Sequence, residues 1–169
     1  HIISNLKALI FAGYFFDNDQ SKSWLIDGKK NLLEQLDEQI LDDGAHCELS
    51  PMYHNIIVSD LLDLVQINNL SKTKNDQGFD IALNRKINSM LNWSNNMTHP
   101  DNEIAFFNDS TFSICPRFDE LKEYKNCITK EQFQEETKNI SYMSDSGYIS
   151  LQTDLGKMLI CLLYTSPSP

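Results

Sequence analysis

Asp42-Asp-Gly-Ala-His-Cys-Glu-Leu-Ser-Pro-Met-Tyr-His-Asn-Ile56 reads as a helix end, a loop and a helix start in one stretch. Asp42, Asp43 and Gly44 stop the helix before it. Ser50 is an N-cap whose hydroxyl can accept from the free N–H groups of the next first turn. Pro51 suits the first helical position, where its missing N–H costs nothing. Tyr53 and His54 then fall in that turn, near the positive end of the helix dipole, which favours a tyrosinate and a neutral imidazole. A tyrosine needs such help to take a proton near neutral pH, because its unperturbed pKa is about 10. With Glu48 just before the cap, three protonatable side chains crowd one helix start. On residue chemistry alone this is either a reactive helix start or a capped helix whose Tyr and His pack against a neighbour.

Working outward, apolar residues recur at three-to-four spacing in four segments. The first carries Leu6, Leu9, Ile10 and Gly13 and ends near Phe16. Asp17–Ser21 is turn chemistry with N-cap candidates, and a second helix follows with Trp24, Leu25, Leu32, Leu33, Leu36 and Ile40 on one side. The third runs from Pro51 to about Asn69. A polar break at Ser71–Gly78 separates it from a fourth, from Phe79 to about Met97. Long helices joined by short polar loops predict antiparallel helical hairpins, stacked either as a solenoid or as an α/α toroid. No fixed-period repeat is visible, which favours the toroid.

After Thr98 the pattern changes. Residues 98–118 form a long loop rich in Pro, Asn and Asp, and long loops inside compact domains tend to be functional. Asp119–Cys127 suits a short amphipathic helix. Ser141–Thr153 alternates around Gly147, and with Leu155–Ile160 it predicts the first strands of a β-domain.

Gly44-Ala-His46-Cys-Glu48-Leu-Ser50-Pro51-Met-Tyr53-His54 resembles the active-site helix start of the heparinase II/III-like polysaccharide lyases. Asn5–Phe16 is similar to the helix that precedes it, and His99–Asp109 to a downstream loop, so the resemblance spans about residues 1–160. It implies a mainly α chain: helical hairpins of an (α/α) toroid over 1–135, then the start of an antiparallel β-sandwich over 136–160. It also implies a parent enzyme that cleaves uronic-acid glycans, heparin/heparan-like or alginate-like, by β-elimination. In that chemistry the resemblance gives Tyr53 the proton-transfer role and makes His1 the histidine of an Asn-His pair. The Asn would lie just before His1, and a further catalytic His would lie beyond Ile160. The chain is therefore expected to be an inactive piece of a bacterial enzyme, periplasmic or secreted. Residues 161–169 resemble the translation of a sequencing adapter and are expected to be an artefactual tail.

Fourteen basic residues against 24 acidic ones, a net charge of −10, exclude nonspecific nucleic-acid binding, which needs Lys/Arg clusters. The same balance weighs against a strongly sulfated polyanion and suits a uronate polymer of lower charge. No apolar run is long enough to span a membrane. Cys47, Cys115 and Cys127 lack zinc-ligand or disulfide spacing, and His46 and His54 are not spaced as metal ligands, so neither metal nor cofactor is expected.

Glu48, His54, Asn108 and Asp109 are candidate substrate-binding residues. For Glu48 a loop-bracing role competes. For Asn108 and Asp109 the competing role is stabilising their own loop through side-chain-to-backbone bonds. His46 is expected to be solvated. Trp24 and Trp93 lie in apolar stripes and read as core, whereas Phe106, Phe107 and Phe112 of the long loop are candidates to touch sugar. The reading from another class is a non-catalytic helical-hairpin module that binds glycan or protein. A surface-polysaccharide biosynthesis protein of the same family is a further alternative.

Overall fold

A computed structural model describes residues 1–71, 76–136 and 138–163. Five helices come first: α1 (Ile2–Phe15), α2 (Asp19–Gln39), α3 (Pro51–Leu70), α4 (Gln77–Asn96) and α5 (Phe118–Ile128). Three strands follow, β1 (Ile140–Met143), β2 (Tyr148–Thr153) and β3 (Gly156–Cys161), in one antiparallel sheet of order β1-β2-β3. The mainly α chain of helical hairpins passing into antiparallel strands is the architecture expected from periodicity, with helix bounds within two residues of those read. Strand β3 takes in Cys161, one residue into the segment read as tail, and residues 164–169 lie outside the described residues.

Local chemistry explains where the helices start. Asn18 Oδ1 accepts the Ser21 N–H at 2.8 Å while Ser21 Oγ accepts the Asn18 N–H at 3.0 Å, a reciprocal cap for α2. Asp76 caps α4 through the Phe79 N–H, and Ser50 caps α3 through the Tyr53 N–H at 3.4 Å. The α1–α2 hairpin closes tightly because a glycine stands on each helix. A Cβ on Gly13 would lie 2.9 Å from the Leu25 backbone nitrogen, and one on Gly28 would lie 2.8 Å from Ile10.

Helix α3 is the centre. It buries Ile57, Val58, Leu61, Leu62, Leu64 and Val65, together with His54, Asn55 and Asn68. Its flank meets α1 in parallel register: Ser4 pairs with Asp60 at 3.0 Å, Lys7 with Asp60 at 2.7 Å, and Tyr14 donates to Asn68 at 2.6 Å. The main core joins residues from all five helices, including Ile3, Leu32, Leu62, Leu83 and Leu121.

A second, smaller core lies at the junction with the sheet and gathers Ala45, Trp93, Met97, Ala105, Met143 and Tyr148. It draws on the α2–α3 loop, the end of α4, the long loop and two strands. The sequence keeps these parts far apart. The sheet is pinned there by polar contacts as well. Asp43 Oδ2 accepts from the Ser146 N–H and Oγ, both at 2.7 Å, and Trp93 Nε1 donates to Ser146 Oγ at 3.0 Å. Lys157 Nζ donates to the carbonyls of Asn95 and Thr98 at 2.8 and 2.7 Å, closing the C-terminal end of α4. Burial pushes this lysine down to about 8. Among the described residues no helix is long and apolar enough to cross a membrane.

Candidate active site

The α2–α3 loop is a tight, hairpin-like structure. Leu41 N–H donates to Ala45 O at 2.9 Å and Cys47 N–H to Gln39 O at 2.8 Å, with Gly44 at φ +91° making the turn. Gly44 is obligatory there, since a Cβ would come within 2.3 Å of the Ser89 carbonyl oxygen. The loop ends in Leu49, which adopts the left-handed region at φ 55°, costly for a branched side chain. Its carbonyl accepts the Tyr148 hydroxyl at 3.0 Å and the Asn108 amide at 3.1 Å, and its N–H donates to the His46 carbonyl at 2.9 Å. Sheet, long loop and helix start thus converge on the backbone just before the Ser50 cap.

The first turn of α3 spends its donors internally. Pro51 has none, Met52 N–H donates to Ser110 Oγ at 3.2 Å, Tyr53 N–H to Ser50 Oγ, and His54 N–H to Ser50 O at 2.9 Å. With every donor engaged, this helix end cannot itself hold a substrate carboxylate. It presents a side chain instead. Tyr53 is 41% exposed, on a backbone tied down on both sides.

His54 corrects the expectation of a substrate contact. It is wholly buried: Nδ1 accepts the His46 N–H at 3.2 Å, Nε2 donates to the Met90 carbonyl at 2.9 Å, and the ring lies 4.5 Å from that of Trp93. A backbone N–H can only donate and a carbonyl can only accept, so the two bonds select one neutral tautomer. Burial, above all, pushes its pKa down to about 3. The imidazole is neutral, as expected at this position, and burial is the largest cause. His46 is likewise buried where solvent was expected. Its Nε2 donates to Gln39 Oε1 at 3.1 Å, its Nδ1 accepts the Glu48 N–H at 3.4 Å, and burial lowers its pKa.

The other candidates stay near the surface. Glu48 and Asp109 are exposed. Asn108 is half-buried, and its amide also donates to the Tyr148 hydroxyl at 3.2 Å, so its side chain ties the long loop to the α2–α3 loop and the sheet and not to its own loop's backbone. Asn108 and Asp109 are both left-handed, at φ 46° and 62°, a conformation their side chains tolerate. His1 is exposed ahead of α1. Because α1 and α3 run in parallel with Ser4 beside Asp60, His1 and Tyr53 lie towards the same end, offset along the axis by roughly 6 Å at 1.5 Å per residue. The structure therefore gathers Glu48, Tyr53, Asn108 and Asp109 around the α3 start, sets His1 on the neighbouring helix and turns His54 into the core. Trp93 is core. Phe107 is half-buried and packs 5.1 Å from Tyr148, while Phe106 and Phe112 remain exposed.

Sequence reasoning missed the residues that build this platform: Asp43, Asn55, Ser110, Ser146, Tyr148 and Lys157. Only Asn55 carried a signal, as an amide one turn into an apolar helix. It is buried, its Nδ2 donating to the Pro116 carbonyl at 3.0 Å and its Oδ1 accepting from Ser94 Oγ at 2.7 Å. Among the described residues no group of three or more His, Cys, Asp or Glu side chains is placed to hold a metal ion.

Helical hairpins running into an antiparallel sheet, with a tyrosine presented where the two meet, define the class: a mainly α protein with β-strands docked on its loop end. The chain belongs to the heparinase II/III family, whose N-terminal domain, described as Heparinase II/III N-terminus, matches residues 1–140. It is 24% identical over 151 residues to a heparin-sulfate lyase of Bacteroides stercoris, an overlap covering 87% of this chain and 21% of that protein. The crystal structure of heparinase III shares its fold, with a TM-score of 0.64 and 20% identity over 88% of this chain and 26% of that one. The chain thus spans about a fifth to a quarter of the length of these relatives.

Proposed function

We propose that this chain is part of a polysaccharide lyase that cleaves a uronic-acid-containing glycan, heparin/heparan-like or alginate-like, by β-elimination, with Tyr53 as the proton-transfer group. The observation that carries this is an exposed tyrosine on an internally saturated helix start, in a chain of the heparinase II/III family. β-Elimination needs the C6 carboxylate neutralised, the C5 proton removed and the departing O4 protonated as the C4–O4 bond breaks and the C4–C5 double bond forms. One phenolic oxygen can accept the C5 proton and return it to O4 on the same face. Carboxylate neutralisation falls to side chains, because the α3 donors are engaged. His1, towards the same end on the parallel helix, is the group within this chain that suits that task. Glu48 and Asp109, exposed beside Tyr53, suit sugar hydroxyls as acceptors.

Residues 1–135 then belong to an α/α toroid and residues 136–160 open a β-sandwich. The full protein works on an acidic polysaccharide in the periplasm or outside the cell.

The test is Tyr53→Phe in the full-length protein, with unsaturated product followed by ultraviolet absorbance on a panel of uronate polymers. Ring, packing and helix survive, and only the proton-carrying oxygen goes. The expected loss is about 10²–10⁴-fold in kcat with little change in KM. Near-normal kcat on a substrate the parent cleaves would make Tyr53 a packing residue.

A further inference from the structure

One cleft lies outside the site just described. It holds about 270 Å³ between the long loop and the start of α5, and its lining includes Glu103, Thr111, Phe112, Ser113, Arg117 and Glu120. Thr111 of its lining follows Ser110, whose hydroxyl takes the Met52 N–H in the first turn of α3. The cleft therefore lies close to the α3 start that carries Tyr53.

Its walls are held from below. Asn55, buried in α3, anchors the Pro116 carbonyl just before Arg117. Glu120 accepts the Arg117 N–H at 2.8 Å. On the other side Thr98 and Ile104 form an isolated antiparallel bridge, and His99 N–H donates to the Glu103 carbonyl at 2.8 Å.

The chemistry is that of a pyranose site. Phe112 is 45% exposed and Phe106 57%, their rings 4.1 Å apart edge to face, in a loop that packs Phe107 against Tyr148 instead. Such a pair offers an apolar face to the C–H side of a sugar ring. Around it stand two carboxylates and one guanidinium, with Arg117 4.0 Å from Glu103. Carboxylates accept from sugar hydroxyls, and their excess over the single cation disfavours another anion. We infer that this cleft is a subsite for an uncharged pyranose, next to the uronate handled at Tyr53, with Phe112 as stacking platform and Glu103 as hydroxyl acceptor. The inference rests on the lyase reading above.

The experiment compares wild type, Phe112→Ala, Phe112→Trp and Glu103→Ala in the full-length protein. The probes are unsulfated oligosaccharides of alternating glucuronate and N-acetylglucosamine, four and eight sugars long, with turnover and calorimetric affinity both measured. Phe112→Ala is expected to raise KM and weaken binding of the octasaccharide about tenfold, the scale of exposing one aromatic face, with kcat unchanged. Phe112→Trp restores both. Glu103→Ala weakens binding several-fold. Unchanged affinity in Phe112→Ala, or tighter binding in Glu103→Ala, overturns the subsite. Should wild type release no unsaturated product from either oligosaccharide, the lyase reading fails for this polymer. The calorimetric comparison then still decides the subsite, and absence of wild-type binding overturns it.

Discussion

His54 shows how much one side chain can set at the residue scale. Its two bonds join the α2–α3 loop to α4, and both require the neutral ring. A folded-state pKa near 3 against an unfolded value near 6.5 means that the unfolded chain binds the extra proton first. The stability from neutral His54 is therefore fully present above about pH 6.5 and is lost as pH falls from there towards 3. His46, shifted in the same direction, adds to it. Denaturation midpoints taken between pH 7.5 and 4.5 should fall with a slope approaching 1.4 kcal/mol per pH unit per proton, and His54→Gln should flatten that slope. A second residue-scale expectation concerns Tyr148. Its hydroxyl supports the left-handed Leu49 carbonyl, so Tyr148→Phe should cost about 1 kcal/mol of stability. It should also lower kcat more than it raises KM, because the α3 start loses a fixed neighbour. Equal kcat in Tyr148→Phe and wild type would show that Asn108 alone holds Leu49.

Among the elements, the α1–α2 hairpin and the α2–α3 loop depend on glycines for different reasons. At Gly13 the obstacle to a side chain is the backbone of Leu25, which cannot move aside, whereas at Gly28 it is a methylene of Ile10. Gly13→Ala should thus destabilise by about 1–3 kcal/mol and Gly28→Ala by less, as overpacking of rigid against soft neighbours predicts. Thermal melts of the two variants check the order. A reversed order would mean that the hairpin can separate while Ile10 cannot rotate.

For the whole molecule, the question is what makes helices and sheet one body. Asp43 and Lys157 reach across the junction from opposite sides, and each holds two or more partners around the Trp93–Tyr148 core. Asp43→Ala leaves the Ser146 N–H and hydroxyl without their acceptor and should cost about 2–3 kcal/mol, the scale for hydrogen bonds to a charged group. Hydrogen exchange should then speed up across residues 140–161 while the main helical core keeps its protection. Uniform acceleration in both regions would show that sheet and helices unfold only together.

The helices, their caps and the strand alternation were legible in the sequence because each depends on neighbours within a few positions. Ser50 and Pro51 start α3 wherever it is placed, and Leu61, Leu64 and Val65 make one of its faces apolar whatever covers it. The place of Tyr53 in the first turn of α3 followed from the same local reading, whereas its exposure did not. What only the tertiary structure decided was the second core and everything it orients. His54 looked reactive because its chemistry is, but Met90 and Trp93, brought over it by the α3–α4 hairpin, turned it into a buried brace. Asn108, Ser110 and Tyr148 meet Leu49 and Met52 across 58 to 99 positions of chain. No local pattern encodes such a meeting, because it is the packing of apolar faces, summed over the whole chain, that selects which loops share an end.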